Sequence, residues 1–190
     1  MEEKDFIEFT TGLEEEELPE INKMAEDWDT YVTYLDDEKA LELLECLWVK
    51  FNNQPAPPKV APVLSYNNLF GIQIAIKNPT ADGFYTIEEQ PRLFEIEDRI
   101  ASVYRDEAHA KHVASITTGG TRMLYFYAED DTYLAGLVGK MASEFSDYEF
   151  NYLLEKDAPW NFYFNVVYPS LLDMQIMKSR RMINLMEENG

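Results

Sequence analysis

Cysteine occurs once in this chain, as Cys46, so no internal disulfide is available and folding does not depend on oxidation. Nothing near it in sequence would activate a thiolate, and it reads as a buried structural residue. Histidine occurs twice, as His109 and His112 in D-E-A-H-A-K-H. Their spacing, beside Asp106 and Glu107, suits two metal ligands, yet no third anchoring motif accompanies them, and a polar surface loop is the expectation. Ser115, Ser143 and Ser170 lie in no G-x-S-x-G elbow. T-T-G-G-T (Thr117 to Thr121) lacks the lysine of a phosphate-binding loop and does not open a helix. No apolar run approaches the roughly 20 residues that span a bilayer, and the opening Met-Glu-Glu-Lys-Asp is not a secretory leader. The cytoplasm is the expected compartment. No catalytic residue, cofactor or metal ligand is predicted.

Basic side chains are also scarce, sixteen against thirty-six acids, for a net charge of −20. Half of that excess falls in residues 1–29, where twelve acids face only Lys4 and Lys23. Such a field repels phosphate backbones and anionic lipid and attracts basic protein surfaces. Nucleic acid and membranes are therefore excluded as expected partners, and a basic protein is favoured. Residues 1–27 read as an acidic N-terminal segment, either a solubilising tail or a docking arm. Residues 28–190 read as a single α+β domain.

What is abundant is core material: 46% of residues are hydrophobic and 14% aromatic. A chain of this length buries roughly 70% of its unfolded surface. Trp28 to Leu35 is β-branched and aromatic and predicts a strand. Ala40 to Phe51 is mixed, with strand favoured for its second half, and Asn52 to Pro62 is an extended proline-rich loop. Phe70 to Lys77 alternates cleanly, with Phe70, Ile72, Ile74 and Ile76 on one face. A helix from about Glu88 or Pro91 to Tyr104 follows, Pro91 suggesting a start at Gln90, and its stripe is Leu93, Ile96, Ile100 and Val103. Gly119-Gly120 between two β-rich runs signals a two-residue hairpin. Asp130 or Asp131 is the expected cap of a helix reaching Phe145, and Tyr148 to Leu154 alternates again. The order β-α-β-β-α-β over about residues 69–155 predicts a ferredoxin-like core, an antiparallel sheet with both helices on one face. Trp160 to Tyr168 is expected to add a strand. Ser170 is expected to cap a helix from Leu171 to Glu188 with Leu172, Ile176, Ile183 and Met186 as its buried stripe.

Three groups of residues stand out as a possible pocket or interface. Met123, Tyr125 and Tyr127 point opposite to Leu124 and Phe126, toward a sheet face that the added strands or the last helix would cover. Trp28 and Trp160 could line a pocket with Tyr125 and Tyr127, although aromatic residues are ordinary core material too. Lys178, Arg180 and Arg181 form a basic triplet that can pair with the acidic N-terminal region, within the molecule or between copies. R-M-L-Y-F-Y on a central strand resembles the aromatic strand of RNA-recognition folds. The face of the neighbouring strand that carries Gly71, Gln73, Ala75 and Lys77 offers no stacking platform, and the net charge opposes phosphate.

Together, W-D-T-Y, D-G-F-Y-T-I-E-E-Q-P-R-L-F-E-I-E-D, I-T-T-G-G-T-R-M-L-Y-F-Y-A and W-N-F-Y-F-N-V-V-Y-P-S resemble the bacterial domain-of-unknown-function 695 family over about Trp28 to Glu188. The resemblance implies a cytoplasmic protein without an assigned activity. Some members of that family are similar to the regulator of ribonuclease activity B family. Those acidic, ferredoxin-like proteins act by binding a ribonuclease, which implies an interaction module rather than an enzyme. The alternative is a small-molecule-binding protein or enzyme with a pocket between the sheet and the added strands.

Overall fold

Alternation of apolar side chains builds a six-stranded sheet, described in a computed structural model that covers residues 27–34, 46–53 and 62–188. The expectations for residues 1–26, for residues 40–45 and for most of the proline-rich loop fall outside the described residues. The strands are β1 (Trp28–Tyr34), β2 (Cys46–Asn52), β3 (Asn68–Ala75), β4 (Lys111–Thr118), β5 (Thr121–Ala128) and β6 (Phe150–Lys156). Helix α1 (Gln90–Ala108) joins β3 to β4, α2 (Leu134–Glu144) joins β5 to β6, and α3 (Leu171–Glu188) ends the described chain. The sheet order is β1-β2-β4-β5-β3-β6, and every pairing is antiparallel. Its β4-β5-β3-β6 part, with α1 and α2, is the ferredoxin-like β-α-β-β-α-β core; β2 and β1 extend it past β4.

Each sheet face carries its own core. On one face Phe70, Ile72 and Ile74 of β3, with Leu124 and Phe126 of β5, meet Leu93, Ile96 and Ile100 of α1 and Met141 of α2. On the other, Tyr31, Val49, Phe51 and Tyr127 meet Trp160, Tyr163 and Val167. Strand β4 is covered on both sides, so Lys111 to Thr117 is buried throughout, the polar Lys111, His112, Ser115 and Thr117 included. The Gly71 side of β3 is closed for the same reason: Leu69 and Gly71 are buried. The hairpin turns on Gly119 and Gly120, at φ 52° and 78°. Gly83 (φ 77°) packs so closely against it that a Cβ there would lie 2.8 Å from the Gly119 nitrogen.

Helix α1 starts at Gln90 with Pro91 in its first turn and runs four residues past Tyr104. It ends where His109 turns left-handed (φ 52°) and the Ala110 N–H closes on the Tyr104 carbonyl at 3.0 Å. Asp130 does not cap α2. Its carboxylate accepts the Thr132 N–H (2.8 Å) and hydroxyl, closing a turn, and the helix begins only at Leu134. Ser170 does cap α3, in a reciprocal box: its hydroxyl accepts the Asp173 N–H at 3.2 Å and its own N–H donates to the Asp173 carboxylate at 3.0 Å.

Two further expectations are corrected here. Trp160 to Tyr168 is not a strand. Residues 161–162 are helical and Tyr163–Val167 forms a π-helical turn. The Asp157 carboxylate accepts the Asn161 and Phe162 N–H groups at 2.8 and 2.9 Å, which starts the turn, and Tyr168 N–H closes it on the Tyr163 carbonyl at 2.7 Å. The segment reads equally as period 2, but the residues that reach the sheet are Trp160, Tyr163 and Val167, at helical spacing. The second correction concerns α3. Leu172, Ile176, Ile183 and Met186 do share one side, but that side faces solvent. The helix turns Met177 toward the sheet instead.

Candidate functional site

The sheet is wider than the helix layer that covers it, and this mismatch makes the most legible concave site. Helix α1 lies over β4 and β5, so the side chains of β1 and β2 on the helix side, Thr30, Trp48 and Lys50, stand as a wall facing it. Between this wall and Phe94 and Asp98 of α1 opens a cleft of about 300 Å³. Its floor is an ion pair between Glu97 of α1 and Arg122 of β5, each 3% exposed.

Periodicity drives both charges inward. Glu97 follows Leu93 by four residues and precedes Ile100 by three, and so stands on the buried stripe of α1. Arg122 is in phase with Leu124 and Phe126, the core side of β5. Buried there, each needs the other. Arg122 directs Nε (2.7 Å) and Nη2 to one Glu97 oxygen, and Nη1 to the Thr117 hydroxyl at 2.7 Å. Lys50 Nζ donates to the other Glu97 oxygen at 2.8 Å and lies 4.7 Å above the Trp28 ring. The guanidinium stands 5.4 Å from the Phe94 ring and 5.8 Å from that of Tyr85, within cation–π range.

Burial pushes the Glu97 carboxyl up, but Arg122, His112 and Lys50 outweigh it and hold the group down to about 2. Both oxygens are engaged and the proton is lost far below neutrality, so Glu97 is poorly suited to general acid or base work. It is a brace. A depressed carboxyl stabilises the fold above its unfolded value, here near 4.5, and that stability disappears as pH falls toward 2. Acid titration followed by circular dichroism should therefore show a loss of stability between pH 4.5 and 2, and Glu97→Gln should flatten it. An unchanged acid limb in that variant would refute the assignment.

Beyond Asp98 a second cleft, of about 240 Å³, runs between Ser102 and Arg105 of α1 and Lys111 and His112 of β4. His112 belongs to no surface loop. It is buried on β4, with Nε2 3.1 Å from the Ser115 hydroxyl and 3.0 Å from the Ala114 carbonyl, and its ring is sandwiched by Phe126 and Trp28. His109, the helix terminator, is exposed. Among the described residues no cluster of His, Cys, Asp and Glu is arranged to hold a metal.

The residues singled out from sequence are distributed over both faces. Tyr127 and Trp160 stack in parallel at 4.1 Å, and Tyr125 lies 4.3 Å from Phe162. Burial pushes the Tyr127 phenol well above its ordinary range, as does its hydrogen bond (2.6 Å) to Asp157. Trp160 Nε1 donates to the Tyr66 carbonyl at 2.7 Å. Met123, half-buried, extends the same side of β5. Trp28 lies on the opposite face, beside His112 and Lys50, and does not meet the others. Lys178, Arg180 and Arg181 are exposed on α3, where Arg181 pairs with Asp29 of β1.

Sequence reasoning passes over Glu97 and Arg122, because in so acidic a chain one more carboxylate carries no information. The available signal is a charge in register with an apolar stripe, on the helix and on the strand alike. The two residues lie in separate motifs, L-F-E-I-E-D and T-T-G-G-T-R-M, which the ion pair joins in space.

A family model described as "Family of unknown function (DUF695)" matches residues 26–168, about three quarters of the chain, and the chain belongs to that family. Over 36 residues it is also 64% identical to the Trans-4-hydroxy-L-proline dehydratase of Clostridioides difficile. That stretch is 19% of this chain, which spans only 5% of the length of the relative. So brief an overlap carries no activity across.

Proposed function

We propose that the protein is a non-catalytic, acidic interaction or regulatory module of the cytoplasm, which docks a basic surface of another protein in the manner of an inhibitor. The observation that carries this reading is the fate of the cations. At least nine of the twelve described lysines and arginines, among them Lys50, Lys77, Arg92, Arg99 and Arg122, are engaged in ion pairs with carboxylates. Residues 30–190 hold twenty-four acids against fourteen bases, so carboxylates remain in surplus even without the acidic segment. Surplus surface carboxylates speed encounter with a basic partner and select against acidic ones. No helix among the described residues is long and apolar enough to cross a membrane.

The immobilised protein should retain a basic protein from a cognate lysate at about 0.1 M salt and release it near 1 M, where the screening length falls from about 10 to 3 Å. Retention that ignores salt, or no retention at low salt, would count against the reading. A second reading, binding of a small molecule in the cleft beside Lys50, is favoured by the partly exposed ammonium above the Trp28 ring, in a cleft that Trp48 also lines. Its volume lies at the lower end for ligand sites.

A further inference from the structure

Helix α3 presents its apolar side to solvent. Met177 packs into the second core, and Arg181, one turn further, holds Asp29 of β1. On the other side Leu172, Ile176, Ile183 and Met186 are 65%, 47%, 56% and 74% exposed. With Ser179 between them they recur at alternating steps of four and three residues, which keeps them in one line along the helix. A shallow groove runs along that line past Arg180. An apolar line interrupted by Ser179 alone and flanked by cations marks a surface that another segment covers.

Position and charge identify the occupant. Residues 1–26 lead directly into β1, and Asp29, three residues on, is the residue that Arg181 holds. Those 26 residues are thus tethered beside α3 at high effective concentration. Fully extended they reach about 85 Å, against roughly 27 Å for the 18-residue helix, so length is no obstacle. They carry ten acids against two lysines, and Phe6, Phe9, Leu13, Leu18 and Ile21 among them. A second copy would instead bring a net charge of −20 against its equal.

We propose that residues 1–26 dock on the outward face of α3, their apolar side chains against Ile176 and Ile183 and their carboxylates beside Lys178 and Arg180. The contact is intramolecular and stands whether or not an outside partner exists. The test uses the full chain with Cys46→Ser and a nitroxide on Asn184→Cys, at the edge of the face. Amide signals of Phe6 to Leu13 should be broadened to less than half their intensity, equally at tenfold dilution. Adding Ile176→Asp and Ile183→Asp, or separately Arg180→Glu, should restore them with the circular dichroism spectrum unchanged; the single charge reversal decides the matter if the double variant does not fold. Full intensity in the starting protein overturns the proposal, as does broadening that survives these substitutions. Broadening that fades on dilution while the sedimenting mass halves assigns the face to a second copy, and overturns it equally.

Discussion

Replacing Arg122 with methionine is expected to cost about 3–5 kcal/mol of folding stability, the largest effect of any single charged residue in the described fold. The substitution leaves the Glu97 carboxylate buried on α1 with its bond to Lys50 and the nearby His112 ring, but without the guanidinium that engaged its other oxygen. Adding Glu97→Leu to Arg122→Met removes the stranded charge, and most of the loss should return, because an apolar pair of similar volume replaces a buried ion pair without large penalty. Urea denaturation of the two single variants and the double variant measures this as a coupling energy. If both single losses are small and simply add, the ion pair is not the brace described above. Arg122→Lys should behave as a loss and not as a conservative change, for an ammonium cannot bond Glu97 and Thr117 with the same planar fork.

Trp160→Ala should cost a comparable 3–5 kcal/mol, roughly the usual range for a fully buried indole. The ring is wholly enclosed, stacked on Tyr127 and edge-on to Tyr163, and its N–H donates to Tyr66. Removing it opens a void against the sheet and leaves the Tyr66 carbonyl without that donor. The π-helical turn would lose its main anchor, although Asp157 still caps it. Thermal unfolding should show the drop, and the Tyr127 environment should change in near-ultraviolet circular dichroism. Trp160→Phe, which keeps most of the stacked area, should lose markedly less. A Trp160→Ala protein as stable as the original would mean that the second core contributes little to the fold.

These two residues mark where sequence reasoning succeeds and where it stops. Trp160 is the core residue that its aromatic character allows, but its segment reads as the wrong backbone. Aromatic and β-branched residues favour strands on average, yet here the alternation Trp160, Phe162, Phe164 competes with the helical set Trp160, Tyr163, Val167. The Asp157 cap and the sheet surface beneath select the second. Arg122 and Glu97 are hidden for a different reason. Their sequence neighbourhoods give the phase of each, but a partner 25 residues away is needed to make a buried charge tolerable. The last helix shows the limit of amphipathic patterning. The stripe of Leu172, Ile176, Ile183 and Met186 is legible, whereas the direction it faces is not.

The chain by itself determined its acidity, its strand and helix order from β3 to β6, the Gly119-Gly120 hairpin and the Ser170 cap. All of these follow from composition or from interactions within about four residues, where period and turn chemistry act. Tertiary structure alone decided that β1 and β2 overhang α1 to form a cleft, that its floor joins Glu97 to Arg122, and that α3 turns its apolar line outward. Those outcomes depend on which surfaces meet across the fold. Burial free energy rewards apolar area removed from water wherever the covering residues come from, and local sequence does not encode that choice.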